Sequence, residues 1–245
     1  MVSRSHCKQI SFLQALDIRQ GDVVCFAGAG GKTSLMFRLA GEAREQGLKV
    51  LVTTTTKIFV PDDAEYDALS VDGSLFSRDP VRAPGIYVGG QPSTVAGKMA
   101  GADINLLASR RKYFDLVLIE ADGAAQKSLK GWNRSEPVIP LFATKTIGII
   151  DIQTIGATLC AALVHRLDIF CEITGSKAGE LVTTRLLLRM ILHDEGLFRC
   201  TQGTKILYVN KVESDADCTN VERLREVLED FSIVAGSIKK GTLCA

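Results

Sequence analysis

The sequence lacks an excess of charge of either sign. Its 245 residues include 29 Lys and Arg residues and 28 Asp and Glu residues, for a net charge of +1 at neutral pH. A chain this balanced has no global field that would hold nucleic acid or an anionic membrane surface. We therefore expect no nucleic-acid or membrane partner, and we expect any ligand to be recognised by a local group of side chains.

Long apolar runs are also missing. The most hydrophobic stretches, such as residues 116–119 and 147–150, are only a few residues long, whereas a membrane-spanning helix needs about 20. Residues 1–19 mix charged and apolar side chains, so they do not contain the uninterrupted apolar segment of a secretory signal. The sequence thus predicts a cytoplasmic protein.

Paired cysteines and linkers are scarce as well. The seven cysteines are an odd number, lie far apart and include no C-x-x-C pair, so we expect neither a disulfide framework nor a four-cysteine zinc site. No internal repeat, low-complexity segment or Pro/Ser-rich linker divides the sequence. The simplest prediction is a single domain over residues 1–245.

Strand and helix patterns alternate along the chain. Short apolar runs predict strands at residues 23–27, 49–54, 114–120, 146–151 and 205–210. Amphipathic periodicity predicts helices after the first strand, over residues 181–193 and over residues 220–231, while residues 60–101 have the composition of connections with short elements. This alternation predicts a three-layer α/β sandwich around a mostly parallel central sheet, with ligands at the carboxyl ends of the strands.

A glycine-rich segment, which we call the glycine loop, follows the first predicted strand and opens the first long helix. It consists of Gly28, Ala29, Gly30, Gly31, Lys32, Thr33 and Ser34. Glycines let backbone amides converge on an anion, and a helix N-terminus adds partial positive charge. Lys32 is then placed to reach the β- and γ-phosphates of ATP or GTP, and the hydroxyl of Thr33 to bind Mg²⁺. The spacing is the short G-x-x-G-K-[ST] form, which resembles the loop of Mur ligases. This resemblance implies a fold similar to that of the P-loop NTPases.

An acidic motif ends the strand predicted over residues 114–120. It contains Glu120, Asp122 and Gly123. In phosphate-loop enzymes an acid at this place binds Mg²⁺ or orients the attacking water, and each of the two acids fits either role. The E-x-x-G spacing resembles the motif of metallocentre-assembly GTPases that serve hydrogenase and urease. We therefore predict Lys32, Glu120 and Asp122 as catalytic residues, and Thr33 and both acids as the Mg²⁺ site.

Two further groups stand at predicted strand ends. Thr55 and Lys57 follow the second strand, where a hydroxyl and an ammonium suit Mg²⁺ and phosphate, although threonine is also common in strands for its β-propensity alone. Asn210, Lys211 and Glu213 resemble the base-reading N-K-x-D motif of GTPases. The extra methylene of Glu213 moves its carboxylate by about 1 Å, which is enough to matter for a paired contact, so both ATP and GTP stay open.

Together these segments resemble the YqeC family over most of the chain. They are GAGGKTS at 28–34, TTTTKI at 53–58, LIEADGA at 118–124, SLK at 128–130 with EPVIP at 136–140, HR at 165–166 and NKVE at 210–213. The resemblance implies an accessory protein of selenium-dependent molybdenum hydroxylases, with a hydroxylase or its cofactor as the partner. It also implies phosphate and Mg²⁺ roles for the glycine loop, a metal role for the acids and a base-binding role for residues 210–213.

Three hypotheses on function follow. The first is a Mg²⁺-dependent nucleoside triphosphatase whose hydrolysis drives a conformational step in enzyme maturation. The second is a small-molecule kinase, ligase or nucleotidyltransferase acting on a cofactor precursor, with residues 60–101 and 127–140 holding the acceptor. In that case Lys127 and Lys130 face phosphate or substrate; otherwise they face water. The third is a non-catalytic binding module gated by nucleotide.

Overall fold

The structure is a computed structural model that describes residues 10–77 and 81–244. Residues 1–9 of the segment considered above for a secretory signal lie outside this range. In the described part, the helices are α1 (Phe12–Ala15), α2 (Lys32–Glu45), α3 (Ile104–Arg110), α4 (Leu167–Thr174), α5 (Thr184–Leu192) and α6 (Asp215–Arg225). The strands are β1 (Val23–Gly28), β2 (Lys49–Thr54), β3 (Lys57–Phe59), β4 (Ala68–Ser70), β5 (Gly85–Gly89), β6 (Lys98–Ala100), β7 (Leu116–Glu120), β8 (Leu129–Lys130), β9 (Lys145–Asp151), β10 (Val164–His165), β11 (Thr204–Asn210), β12 (Ser232–Ser237) and β13 (Thr242–Cys244).

One large sheet organises the molecule. Its nine strands run in the order β13-β12-β11-β9-β1-β7-β2-β5-β4, and β13 pairs antiparallel to β12 while the other strand pairs are parallel. The predicted α/β fold with a mostly parallel sheet is confirmed, and the fold is consistent with that of P-loop NTPases. Since β1 lies beside β7, with Phe26 opposite Glu120, the glycine loop and the acidic motif share one edge.

Helices cover both faces of this sheet. Val24 and Phe26 of β1 belong to a buried cluster with α1 and α2, while Val23 and Cys25 belong to a cluster on the opposite face with Leu107 of α3. Helices α4, α5 and α6 cover that second face beside β9 and β11. Because both faces are buried, the strands consist almost entirely of apolar residues, which made them visible in the sequence.

The predicted strands correspond to β1, β2, β7, β9 and β11; β2 has the predicted ends, and each of the other four differs at one end by one or two residues. The helix predicted over residues 220–231 is misplaced, because Ser214 and Asp217 form a capping box that starts α6 earlier. At α5 the Thr183 side chain accepts a hydrogen bond from the Leu186 amide, so this helix begins later than the helix predicted over residues 181–193. In the region predicted as connections, β5 and β4 extend the sheet. Among the described residues, no helix is both long and apolar enough to cross a bilayer.

Candidate functional site

The glycine loop joins the end of β1 to the start of α2 through an unusual backbone path. Gly28, Gly30 and Gly31 have φ angles of +104°, +86° and +139°, which strain residues with a Cβ. A Cβ on Gly30 would lie 2.5 Å from the Cβ of Asp151, and one on Gly31 would lie 2.4 Å from the side-chain nitrogen of Asn210. Glycine is therefore required at both positions by conformation and by space.

The start of α2 is left open for an anion. Gly31 is the N-cap, and within the described chain no side chain caps this helix start and no acidic residue lies in the first turn. The amides of Gly28 and Ala29 donate to Asp122 and to the carbonyl oxygen of Ile149, so the part of the loop that faces a ligand begins at Gly30. An uncapped helix N-terminus of this kind attracts negative charge.

Lys32 lies against both acids of the acidic motif. Its Nζ donates to the carbonyl oxygen of Gly28 at 2.7 Å and lies 3.2 Å from Oδ1 of Asp122 and 3.8 Å from Oε1 of Glu120. Burial by itself lowers the pKa of Lys32, but the charges of Asp122 and Glu120 outweigh it and raise that pKa above its usual value. The site thus holds a buried, charged ammonium group.

The two acids have different surroundings. Oε2 of Glu120 accepts a hydrogen bond from the Thr33 hydroxyl at 2.6 Å, and burial raises the pKa of Glu120. Asp122 is fully buried, and its Oδ2 accepts from the Gly28 amide at 3.0 Å and from Nε1 of Trp132 at 2.6 Å. Glu120 therefore accompanies the hydroxyl predicted to bind metal, whereas Asp122 holds the loop and Lys32 in place.

Asp122 belongs to a largely buried network of ion pairs with Lys130, Glu136 and Arg166. Lys130 is fully buried, and its Nζ lies 3.1 Å from Oδ2 of Asp122 and donates to Oε2 of Glu136 at 2.9 Å. Arg166 donates to the same Glu136 oxygen at 2.7 Å. Burial raises the pKa of Asp122, but Lys32 and Lys130 outweigh it and lower the pKa. Sequence analysis missed this network: of the roles considered for Lys130, none was a buried partner of Asp122.

A cleft of about 1160 Å³ runs along this edge of the sheet and brings most predicted site residues together. The predicted residues that line it are Gly30, Gly31, Lys32, Thr33, Ser34, Lys57, Glu120, Gly123, Asn210, Lys211 and Glu213. Gly28, Ala29 and Asp122 are not among its lining residues; the Gly28 amide donates to Asp122 and the Ala29 amide to the carbonyl oxygen of Ile149. Thr55 does not line the cleft either, and its hydroxyl donates to the carbonyl oxygen of Val138 at 2.7 Å.

The predicted base-binding residues lie at the β11 end of the cleft. The Asn210 side chain donates to the carbonyl oxygen of Gly30 at 2.7 Å, and the Lys211 ammonium pairs with Asp151 at the end of β9. Oε1 of Glu213 accepts from the Ser237 hydroxyl at 2.8 Å. This hydrogen bond lowers the pKa of Glu213. The motif is thus attached directly to the glycine loop through Asn210.

The residues at this site fit magnesium held together with phosphates. In the described residues no group of three or more His, Cys, Asp or Glu side chains is placed to hold a metal alone. The Thr33 hydroxyl and the Glu120 carboxylate instead supply two adjacent oxygen donors. Mg²⁺ is usually bound through one or two protein oxygens, with phosphate and water completing its coordination. The donor set therefore suits a Mg²⁺–nucleotide complex.

Comparison with known proteins agrees with the motifs. The protein is 29% identical over 211 residues to an uncharacterized protein YqeC of Escherichia coli (strain K12), and the match covers 84% of this chain and 81% of that protein. No solved structure matches it. The family model described as YqeC protein matches residues 24–168, from the first strand through the acidic motif to α4. This match spans more than half of the sequence, so the chain belongs to the YqeC family.

Proposed function

We propose that the protein binds a Mg²⁺–nucleoside triphosphate, ATP or GTP, at the glycine loop and hydrolyses it. The observation that carries this proposal is the position of Lys32. Its buried ammonium lies at the uncapped start of α2, between Glu120 and Asp122. A cation and open helix amides at one point suit a polyphosphate chain, and the nearby acids suit the metal that accompanies it.

Each residue then has a separate task. The amides from Gly30 onward and Lys32 bind the β- and γ-phosphates, with Lys32 exchanging its contact with Glu120 for phosphate oxygens. Thr33 and Glu120 hold Mg²⁺, which when bound neutralises charge developing on the phosphates. Asp122 keeps the Gly28 amide and Lys32 oriented. Catalysis on this account consists of positioning and charge stabilisation.

The biological role we propose is maturation of a selenium-dependent molybdenum hydroxylase in the cytoplasm. This part of the proposal is supported by the family resemblance alone, and the partner is the hydroxylase or its cofactor. Hydrolysis would drive a conformational step in that partner or release the protein from it.

Phosphate release from Mg-ATP and Mg-GTP by the purified protein tests the proposed reaction. We expect turnover that requires Mg²⁺ and falls about 100-fold in Glu120→Gln, since one lost charge-stabilising contact costs roughly that much. Glu229→Gln, at an exposed acid outside the cleft, is the matched control and should keep wild-type turnover. Equal rates in Glu120→Gln and wild type, or tight nucleotide binding with no turnover, would contradict hydrolysis at this site.

One observation favours the small-molecule transferase as a second candidate function. The cleft continues beyond the glycine loop to β3 and to residues 123–128, which leaves room for an acceptor next to the γ-phosphate. Consumption of the nucleotide that depends on an added cofactor precursor, with the phosphoryl or nucleotidyl group recovered on that precursor or used to join it to a second molecule, would support the transferase, whereas phosphate release stimulated only by a hydroxylase subunit would support the proposed triphosphatase.

A further inference from the structure

The cleft has two sides, and the nucleotide proposed above occupies only one. In the sheet, β11 lies two strands from β1 in one direction and β2 lies two strands from β1 in the other. Adjacent strands are about 4.8 Å apart, so the two sides of the cleft extend over roughly 20 Å. The Asn210–Glu213 motif directs the base towards β11. The side that follows β2 therefore faces the γ-phosphate end and is left for another molecule.

The ribbon formed by β3 and β6 builds this second side. Lys57 and Phe59 are exposed on one face of β3, with buried Ile58 between them. Phe59 is 52% exposed. Lys98 stands opposite it in register, with its Nζ 4.5 Å from the ring centroid. The ribbon thus presents a half-exposed aromatic ring with the Lys98 ammonium over it and Lys57 on the same face of β3, and all three side chains line the cleft.

Charges around the ribbon leave it suited to an anion. Lys127 and His165 also line the cleft; the Lys127 ammonium donates to the carbonyl oxygen of Ala161, and burial lowers the pKa of His165. The acids Asp62 and Glu65 also line it, and Oε2 of Glu65 accepts a hydrogen bond from the Asp62 amide at 3.2 Å. An exposed aromatic face favours stacking with a planar ring, and flanking lysines favour a carboxylate, sulfonate or phosphate on that ring.

We propose that this ribbon face binds a planar anionic molecule as a second ligand of the cleft. The ring of the ligand stacks on Phe59, and its acidic group pairs with Lys57 and Lys98. The place of this ligand beside the γ-phosphate rests on the proposed function. The recognition by Phe59 and the two lysines stands on the geometry of the ribbon itself.

Titration with 2-naphthoate, followed by saturation-transfer NMR without nucleotide, tests this site. We expect 2-naphthoate to bind at least about tenfold more tightly than uncharged 2-naphthamide or non-aromatic cyclohexanecarboxylate. Phe59→Leu should weaken 2-naphthoate binding about tenfold, the usual effect of losing one stacking ring, and Lys98→Gln should weaken it as well. Lys205→Gln, an exposed residue near the amino end of β11, is the control and should bind like wild type.

Equal affinity for the three probes, or equal 2-naphthoate affinity in wild type, Phe59→Leu and Lys98→Gln, would overturn the proposal. Phe59 is half exposed, so its substitution should leave the circular dichroism spectrum unchanged; if it does not, Lys98→Gln decides. Because the assay contains no nucleotide, its result is independent of whether the glycine loop binds ATP or GTP.

Discussion

Buried charge at the glycine loop is arranged so that each ion has a partner. Lys32 faces Glu120 and Asp122, and Asp122 is in turn paired with Lys130. The sequence predicted that Lys32 and both acids meet, because the ends of neighbouring parallel strands share an edge. It left the roles of the acids open. They differ because β7 ends at Glu120, so Asp122 lies on a turn whose direction no periodicity predicts.

The proposed nucleotide site also makes a prediction about single side chains at its base end. Glu213 is one methylene longer than the aspartate of the N-K-x-D motif, and its carboxylate accepts a hydrogen bond from Ser237. We expect Glu213→Asp to shift the affinity ratio towards GTP over ATP by about tenfold, the order of effect of a well-formed paired contact with a base edge. Competitive titration with both nucleotides measures this ratio. Glu229→Asp is the matched control, and an unchanged ratio in Glu213→Asp would show that residue 213 does not contact the base.

At the scale of elements, the regular ones could be predicted and the irregular segments could not. The strands that carry the site are buried on both faces, so β1, β7 and β11 are visible as apolar runs. The segment after the acidic motif has no such pattern. In this segment Lys130 forms an ion pair with Glu136. Arg166, at the start of α4, pairs with the same Glu136 carboxylate. Only the fold places these three charges together.

This segment should contribute strongly to stability. Lys130 is fully buried between Asp122 and Glu136, and removing one partner leaves buried charge uncompensated. We expect Lys130→Met to lower the free energy of unfolding by about 3–5 kcal/mol at pH 7, measured by urea denaturation. The exposed control Lys205→Met should change it by less than about 0.5 kcal/mol. A loss in Lys130→Met no larger than in the control would mean that the network does not stabilise the fold.

The pH dependence of that loss follows from the two acids. Burial raises the pKa values of Asp122 and Glu136, but the neighbouring cations outweigh it and hold both below the ordinary values of 3.8 and 4.5. Lowered pKa values contribute stability above the ordinary values, and this stability is lost as the pH falls through the lowered ones. The difference between wild type and Lys130→Met should therefore be largest at neutral pH and shrink below about pH 4. A difference that stays constant from pH 7 to pH 3 would contradict this account.

At the scale of the whole molecule, the order of strands in the sheet determines which side chains line the cleft. Placing β1 between β9 and β7 brings Asn210, Lys32 and Glu120 to one cleft, although the sequence separates them widely. The alternation of strands and helices predicted the parallel sheet, but strand order depends on crossovers that leave no trace in local composition. A ligand that binds only the folded chain must also stabilise the whole fold, by about 2.7 kcal/mol at 100 times its Kd.

Calorimetric titration of Mg-ATP and Mg-GTP into the wild-type protein and Lys32→Ala tests the central claim most directly. We predict that at least one nucleotide binds wild type and binds Lys32→Ala more weakly by about 1.5–3 kcal/mol, the value of charge-assisted hydrogen bonds to phosphate. Absence of binding to the wild type, or equal affinities in the two proteins, would contradict the assignment of the glycine loop as a phosphate site.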